Sequence, residues 1–197
     1  MNKTLFFEIK DYIHSVRFYT FFIAILFFTS AGAGYIYSSI EPELSTNIME
    51  EIIVGFGELL NLSSFYLMFA IYFRNSFACL LSIGLGFFFG VAPVGIIAFN
   101  GFIVGVVVFK AMEITSFQHI LLGIIPHGII ELPMVFLCAA IGLKIGHEVT
   151  RSLLTKEGGW INIKNEFFDG LQAFVYVVLP LLFLAAMIEA YITSQMI

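Results

Sequence analysis

Hydrophobic positions in this chain come in long blocks, and the polar residues between them are few enough to act as punctuation. Residues 1–17 mix charged and apolar side chains at helical spacing, which predicts an amphipathic lead-in helix on a membrane surface. Residues 18–40 are then apolar over a length that crosses a bilayer core of about 30 Å at about 1.5 Å per residue. After an acidic, turn-rich link at 41–47, the block 48–73 starts amphipathically with Glu50, Glu51 and Glu58 and becomes strongly apolar. A second span is expected to start near Ile52 and to end before Arg74 and Asn75. The block 76–112 is too long for one span and too short for two with a loop, with Pro93 and Asn100-Gly101 as its breaks. Residues 119–145 form another long block, interrupted by Pro126 and Pro133; a polar loop is expected at 146–165 and a last span at 167–192.

Basic residues in short loops favour the cytoplasmic side. Lys3, Lys10 and Arg17 therefore predict a cytoplasmic N-terminus, and Lys144, Arg151, Lys156 and Lys164 a cytoplasmic last loop, which puts the C-terminus outside. That requires an odd number of crossings. Five suffice if 76–97 is the third, leaving 100–112 as a re-entrant or broken half-helix, tolerated in lipid only where protein or water satisfies its backbone. The expected fold is all-α: a polytopic helical membrane protein of the cell (plasma) membrane. It has about five transmembrane helices plus a half-helix, arranged as a single membrane domain at 18–193 with a short tail at 194–197.

Composition sharpens this. The chain is 60% hydrophobic and 12% charged, with a mean hydropathy of +0.99, well beyond a soluble domain. The net charge of -5 excludes a nucleic-acid partner held by phosphate contacts. Cys79 and Cys138 fall inside apolar blocks and read as small buried hydrophobes rather than a disulfide. An Ala-x-Ala step at 31–33 follows the first apolar block, but Glu8 and Asp11 among the preceding bases make that block a retained span.

The chemistry concentrates at "GIIPHGIIELP", residues 123–133. His127 and Glu131 are one helical turn apart on one face, and an ionisable pair in lipid demands a reason. Pro126 and Pro133 lack the amides that would bond the carbonyls of Leu122 and Ile129, so acceptors are freed beside the pair. Three uses are open: a hydrogen-bond clamp, a proton or ion site, or two ligands of a zinc-like divalent transition metal. A metal would need further donors, for which Glu189 and Glu58 on other spans are the candidates, whereas Cys138 is about 10 Å from Glu131 along a straight helix. "PVGIIAF" (93–99) and "PHGIIEL" (126–132) also echo each other, as paired interrupted helices do in some transporters. Three Gly-x-x-x-Gly pairs, Gly86/Gly90, Gly101/Gly105 and Gly142/Gly146, predict tight helix packing or homodimerisation. No His-Glu-x-x-His, Gly-x-Ser-x-Gly or phosphate-binding loop is present, which leaves a metal-dependent intramembrane enzyme as the third-ranked reading.

"YFRNSFACLLSIGLGFFFGVAPVGIIAFNGFIVG", "PHGIIELP" with "AAIGLKIG", and "AAMIEAYIT" together resemble the stage II sporulation protein M family over residues 18–193. The resemblance implies an all-helical integral membrane protein and carries over Asn75, Asn100, Gly101, His127, Gly128, Glu131, Pro133 and Glu189 as family-type positions, with Pro126 in the same motif. In endospore formers the sporulation member anchors a wall-degrading complex. This chain is accordingly expected to be a membrane scaffold or assembly factor acting through membrane or cell-envelope partners, with a small ion or proton transporter or sensor as the alternative.

Overall fold

The structure, a computed structural model, describes residues 3–60, 62–155 and 159–193; the side chains at 3, 4, 6, 56 and 58–60 lie outside that description. No strand occurs among the described residues. The chain runs α1 (Lys3–Ser15), α2 (Arg17–Ile40), α3 (Pro42–Leu60) and α4 (Ser64–Gly84), which tightens into a 3-10 turn at Leu85–Phe87. Next come α5 (Val91–Ile114), α6 (Phe117–Thr155), α7 (Gly159–Ala173) and, after a π-helical turn at Phe174–Val178, α8 (Leu179–Tyr191). Five stretches are long and apolar enough to cross a membrane: Arg17–Ile40, Ser64–Phe87, Val91–Ile114, Phe117–Thr155 and Gly159–Tyr191.

The number of spans matches the expectation, but several boundaries do not. The block 48–73 is not one helix: α3, which carries Glu43, Glu50 and Glu51, ends at Leu60, and the second span starts afresh at Ser64. The third span is not 76–97, because the chain reverses at Phe88–Gly90. Phe89 (φ 57°) and Gly90 (φ 72°) are left-handed there, and the Gly90 amide donates to the Gly86 carbonyl. A glycine reaches this conformation without the steric penalty a side chain brings, so the reversal needs no polar residue. Residues 100–112 consequently form the second half of a continuous span, α5, and not a re-entrant half-helix.

Nor does α6 break at its prolines: it continues through Pro126 and Pro133, each of which removes a single ladder hydrogen bond. At about 58 Å it outreaches the bilayer core, so most of the expected loop at 146–165 is helix, with α6 ending at Thr155 and α7 starting at Gly159. The π-turn before α8 has a similar origin, since Pro180 has no amide for the Tyr176 carbonyl and the ladder widens around the gap. Pro93 occupies the first turn of α5, where a missing amide removes nothing, whereas Pro126 lies deep inside α6. The two echoing segments therefore do not occupy equivalent places.

Lipid supplies no hydrophobic force between helices, so packing depends on close backbone approach. α2 packs most extensively on α5. A Cβ on Gly34 would strike the Phe102 carbonyl, on Gly101 the Phe27 carbonyl and on Gly105 the Ala31 carbonyl; from Phe27/Gly101 through Ala31/Gly105 to the ring pair Tyr35/Phe109 the numbers rise together, so these helices are parallel. A second seam joins α6 to the α4–α5 reversal, where Gly86 meets the Gly142 backbone and Gly146 meets that of Gly90. All three Gly-x-x-x-Gly pairs are thus used inside one chain. Beside the seams lie apolar clusters, one around Ile23, Phe27, Ile97 and Phe136, a larger one around Cys79, Ile83, Cys138, Ile141 and Leu182, and a small one of Met68, Ala186 and Ala190 between α4 and α8.

The seam makes a paired prediction. Gly105→Ala drives a methyl into the Ala31 backbone and is expected to destabilise by about 1–3 kcal/mol. Gly95→Ala, on the same helix but facing open space, is expected to be neutral or stabilising by up to about 1 kcal/mol. Thermal unfolding of the two variants in one detergent, followed by circular dichroism, checks both signs.

Candidate functional site

α6 holds His127 and Glu131 on one face by its own repeat, and α8 packs alongside it. Glu189, near the end of α8, completes a group in which one ligand atom from each of His127, Glu131 and Glu189 lies within 4.8 Å of the others, all three side chains half-buried. A divalent transition metal takes nitrogen and oxygen donors at about 2.0–2.2 Å, and hence about 3.4 Å apart in a tetrahedron. Closing the group onto an ion therefore needs side-chain shifts of roughly 1 Å. Nδ1 of His127 is buried without a hydrogen-bond partner. A histidine whose only task was to clamp a helix would have both ring nitrogens satisfied, because an unmade buried hydrogen bond is destabilising. Arg74 of α4 is near enough to act electrostatically on both carboxylates, so the group sits where α4, α6 and α8 meet.

The fourth expected donor, Glu58, belongs to α3, and its side chain lies outside the described residues. Cys138 does not join the group; it is fully buried, packed with Cys79 in the apolar cluster between α4 and α6. Pro126, Gly128 and Pro133 share α6 with the pair, and Gly128 is buried, with the Ile124 side chain as the nearest atom a methyl there would meet. Asn75 is half-buried in α4. Asn100 is not a cap or turn residue: mid-helix in α5 and exposed, its Nδ2 donates to the Ile96 carbonyl at 2.9 Å. Gly101 belongs to the α2–α5 seam rather than to the ionisable group.

A second polar centre was not anticipated. Along α6, Lys144 is about 25 Å from His127. Its ammonium bonds Glu166 of α7 at 2.8 Å and donates to the Ser15 hydroxyl at 2.9 Å, 5.0 Å from the centre of the Tyr12 ring. The Tyr12 hydroxyl donates to Glu166 at 3.3 Å; burial, with the Glu166 and Asp169 carboxylates nearby, pushes that phenol well above its usual range and keeps it a donor. Tyr19 and His147 pair at 2.6 Å beside it, and Glu148 bonds Arg151 rather than His147. The available signal was Lys144 inside the apolar "IGLKIG". This network ties α1, α6 and α7 at one end of the bundle, whereas the His127 group lies toward the other.

A family model described as stage II sporulation protein M matches residues 21–194. An uncharacterized protein of Methanocaldococcus jannaschii is 33% identical over 109 residues, 54% of this chain; the match spans 60% of that relative's own length. No solved structure matches the chain.

The Lys144–Glu166 pair is partly buried, at 15% and 18% side-chain exposure, so screening is reduced but not abolished. Lys144→Met and Glu166→Gln are each expected to lower thermal stability, and the double variant by less than their sum. A double-mutant cycle measured by thermal unfolding should return a coupling of about 1–3 kcal/mol; a coupling near zero would show that the two ends of the contact act independently.

Proposed function

Since the chain belongs to the stage II sporulation protein M family, we propose that it is a membrane scaffold whose His127, Glu131 and Glu189 bind a divalent, zinc-like cation that ties α6 to α8. The observation that carries this reading is the convergence of an imidazole and two carboxylates from two spans, with Nδ1 of the imidazole buried and unpartnered. Borderline-soft divalent ions suit a mixed nitrogen and oxygen set, and partial exposure leaves the ion exchangeable. Scaffolding is favoured over alternating transport because the two glycine seams interlock backbones, which opposes the rocking of one helix group against another. The ion then selects one arrangement of α8 for membrane or cell-envelope partners to recognise. The orientation follows basic-residue bias: Lys10, Arg17, Lys144, Arg151 and Lys164 lie on α1, the start of α2, the extension of α6 and α7, which makes that end, with the N-terminus, cytoplasmic.

Purified protein stripped with chelator and reloaded with zinc is expected to retain about one ion per chain by elemental analysis. His127→Ala, Glu131→Gln and Glu189→Gln should each lose most of it while eluting as wild type from a sizing column. Wild type should also gain about 2.7 kcal/mol of stability at zinc one hundred times Kd. A wild type that holds no zinc would sink the metal assignment, and zinc flux into proteoliposomes abolished by the same substitutions would replace the scaffold with a transporter. For the orientation, cysteines placed at Thr155 and Glu113 are expected to react with a membrane-impermeant maleimide from the cytoplasmic and outer side respectively; the reverse pattern would invert the topology.

A further inference from the structure

Independently of the ion site, a cavity of about 430 Å³ opens between α1 and the last span at the end of the bundle that carries Lys144. That is the size of a small-molecule site. Its walls are Ile9 and Ile13 of α1 with Val177, Pro180 and Leu181 around the π-turn, and only Lys10 and Tyr176 bring polar ends to it. The π-turn widens the last span beside this recess, and Pro180 stands in the first turn of α8.

Charge decides what fills it. Lys10 and His14 are one turn apart on α1, and Arg17, the first residue of α2, follows three residues later, so they form a basic stripe whose cations are Lys10 and Arg17. His14 and Arg17 touch through their side chains, and the Arg17 guanidinium lies 4.7 Å from the centre of the Phe18 ring. Of the acidic neighbours on α1, Glu8 lines a different recess with Tyr12, Asp169 and Gln172, and Asp11, exposed beside Lys10, is not among the residues that line the apolar one. An apolar slot that opens from a transmembrane span, with Lys10 at its wall and Arg17 beyond, matches the two halves of one molecule type.

We propose that this cavity is a binding site for an anionic phospholipid, with an acyl chain against Val177, Pro180 and Leu181 and the headgroup phosphate at Lys10 and the basic stripe. The bilayer presents such a ligand at the depth of the slot, and an acidic leaflet surface attracts polybasic segments with roughly a fivefold gain per cation.

The test uses the full chain in detergent micelles doped with equal phosphatidylglycerol and phosphatidylcholine, read by native mass spectrometry. Wild type is expected to retain phosphatidylglycerol about fivefold or more over phosphatidylcholine. Lys10→Glu, at an exposed position, should bring the two lipids to parity without changing circular dichroism. Leu181→Trp, which fills the slot, should reduce retention of both. Glycerol phosphate, a headgroup with no chain, should fail to displace the lipid. Equal retention by wild type, a Lys10→Glu variant that keeps the preference, displacement by glycerol phosphate, or a dimer that Leu181→Trp converts to monomer would each overturn the assignment.

Discussion

The constraint on which the rest of this structure depends is that helices in lipid gain nothing by hiding apolar side chains from one another. Association must come from close backbone approach and from polar contacts that would otherwise be unmade. This chain uses the first along its middle and the second at its ends. Gly34, Gly101 and Gly105 bring α2 onto α5, and Gly86, Gly142 and Gly146 bring α6 against the α4–α5 reversal, so three spans and a turn form one interlocked unit. The last span has fewer such contacts and is held through Tyr12, Lys144 and Glu166 at one end and the His127 group at the other.

That division explains where chemistry is found. A unit locked through backbone contact leaves little room for polar side chains, and Asn100, on α5, turns its amide back to its own helix. Ionisable groups collect where α8 meets α4 and α6, the junction with less glycine. Carboxylates and an imidazole are unfavourable in such a place unless they bind one another, a proton or an ion, and among these groups Nδ1 of His127 is buried without a hydrogen-bond partner.

How much was legible in the sequence follows the same physics. The His127 and Glu131 pair stood out because an ionisable pair in an apolar block is costly, and Glu189 could be named as a partner because few acids lie within the late spans. The glycine spacing pointed to tight packing but not to which surfaces met. The reversal at Phe88–Gly90 was hidden because a turn between two membrane helices, made of phenylalanine and glycine, has no polar punctuation. The continuity of α6 was hidden for the opposite reason: proline is a strong local signal, but in lipid an intact ladder on either side outweighs two missing hydrogen bonds. Lys144 and Glu166 lie too far apart in sequence for spacing to reveal their contact.

The unbroken length of α6 gives the molecule a mechanical property. One rod runs from the face that carries His127 and Glu131 to the Lys144 network, and its softened turns, at Pro126 and Pro133, flank that pair. Because Lys144 lies between Gly142 and Gly146 of the second seam, that far end is clamped, and the compliance the prolines bring to α6 stays at the His127 end, beside α8.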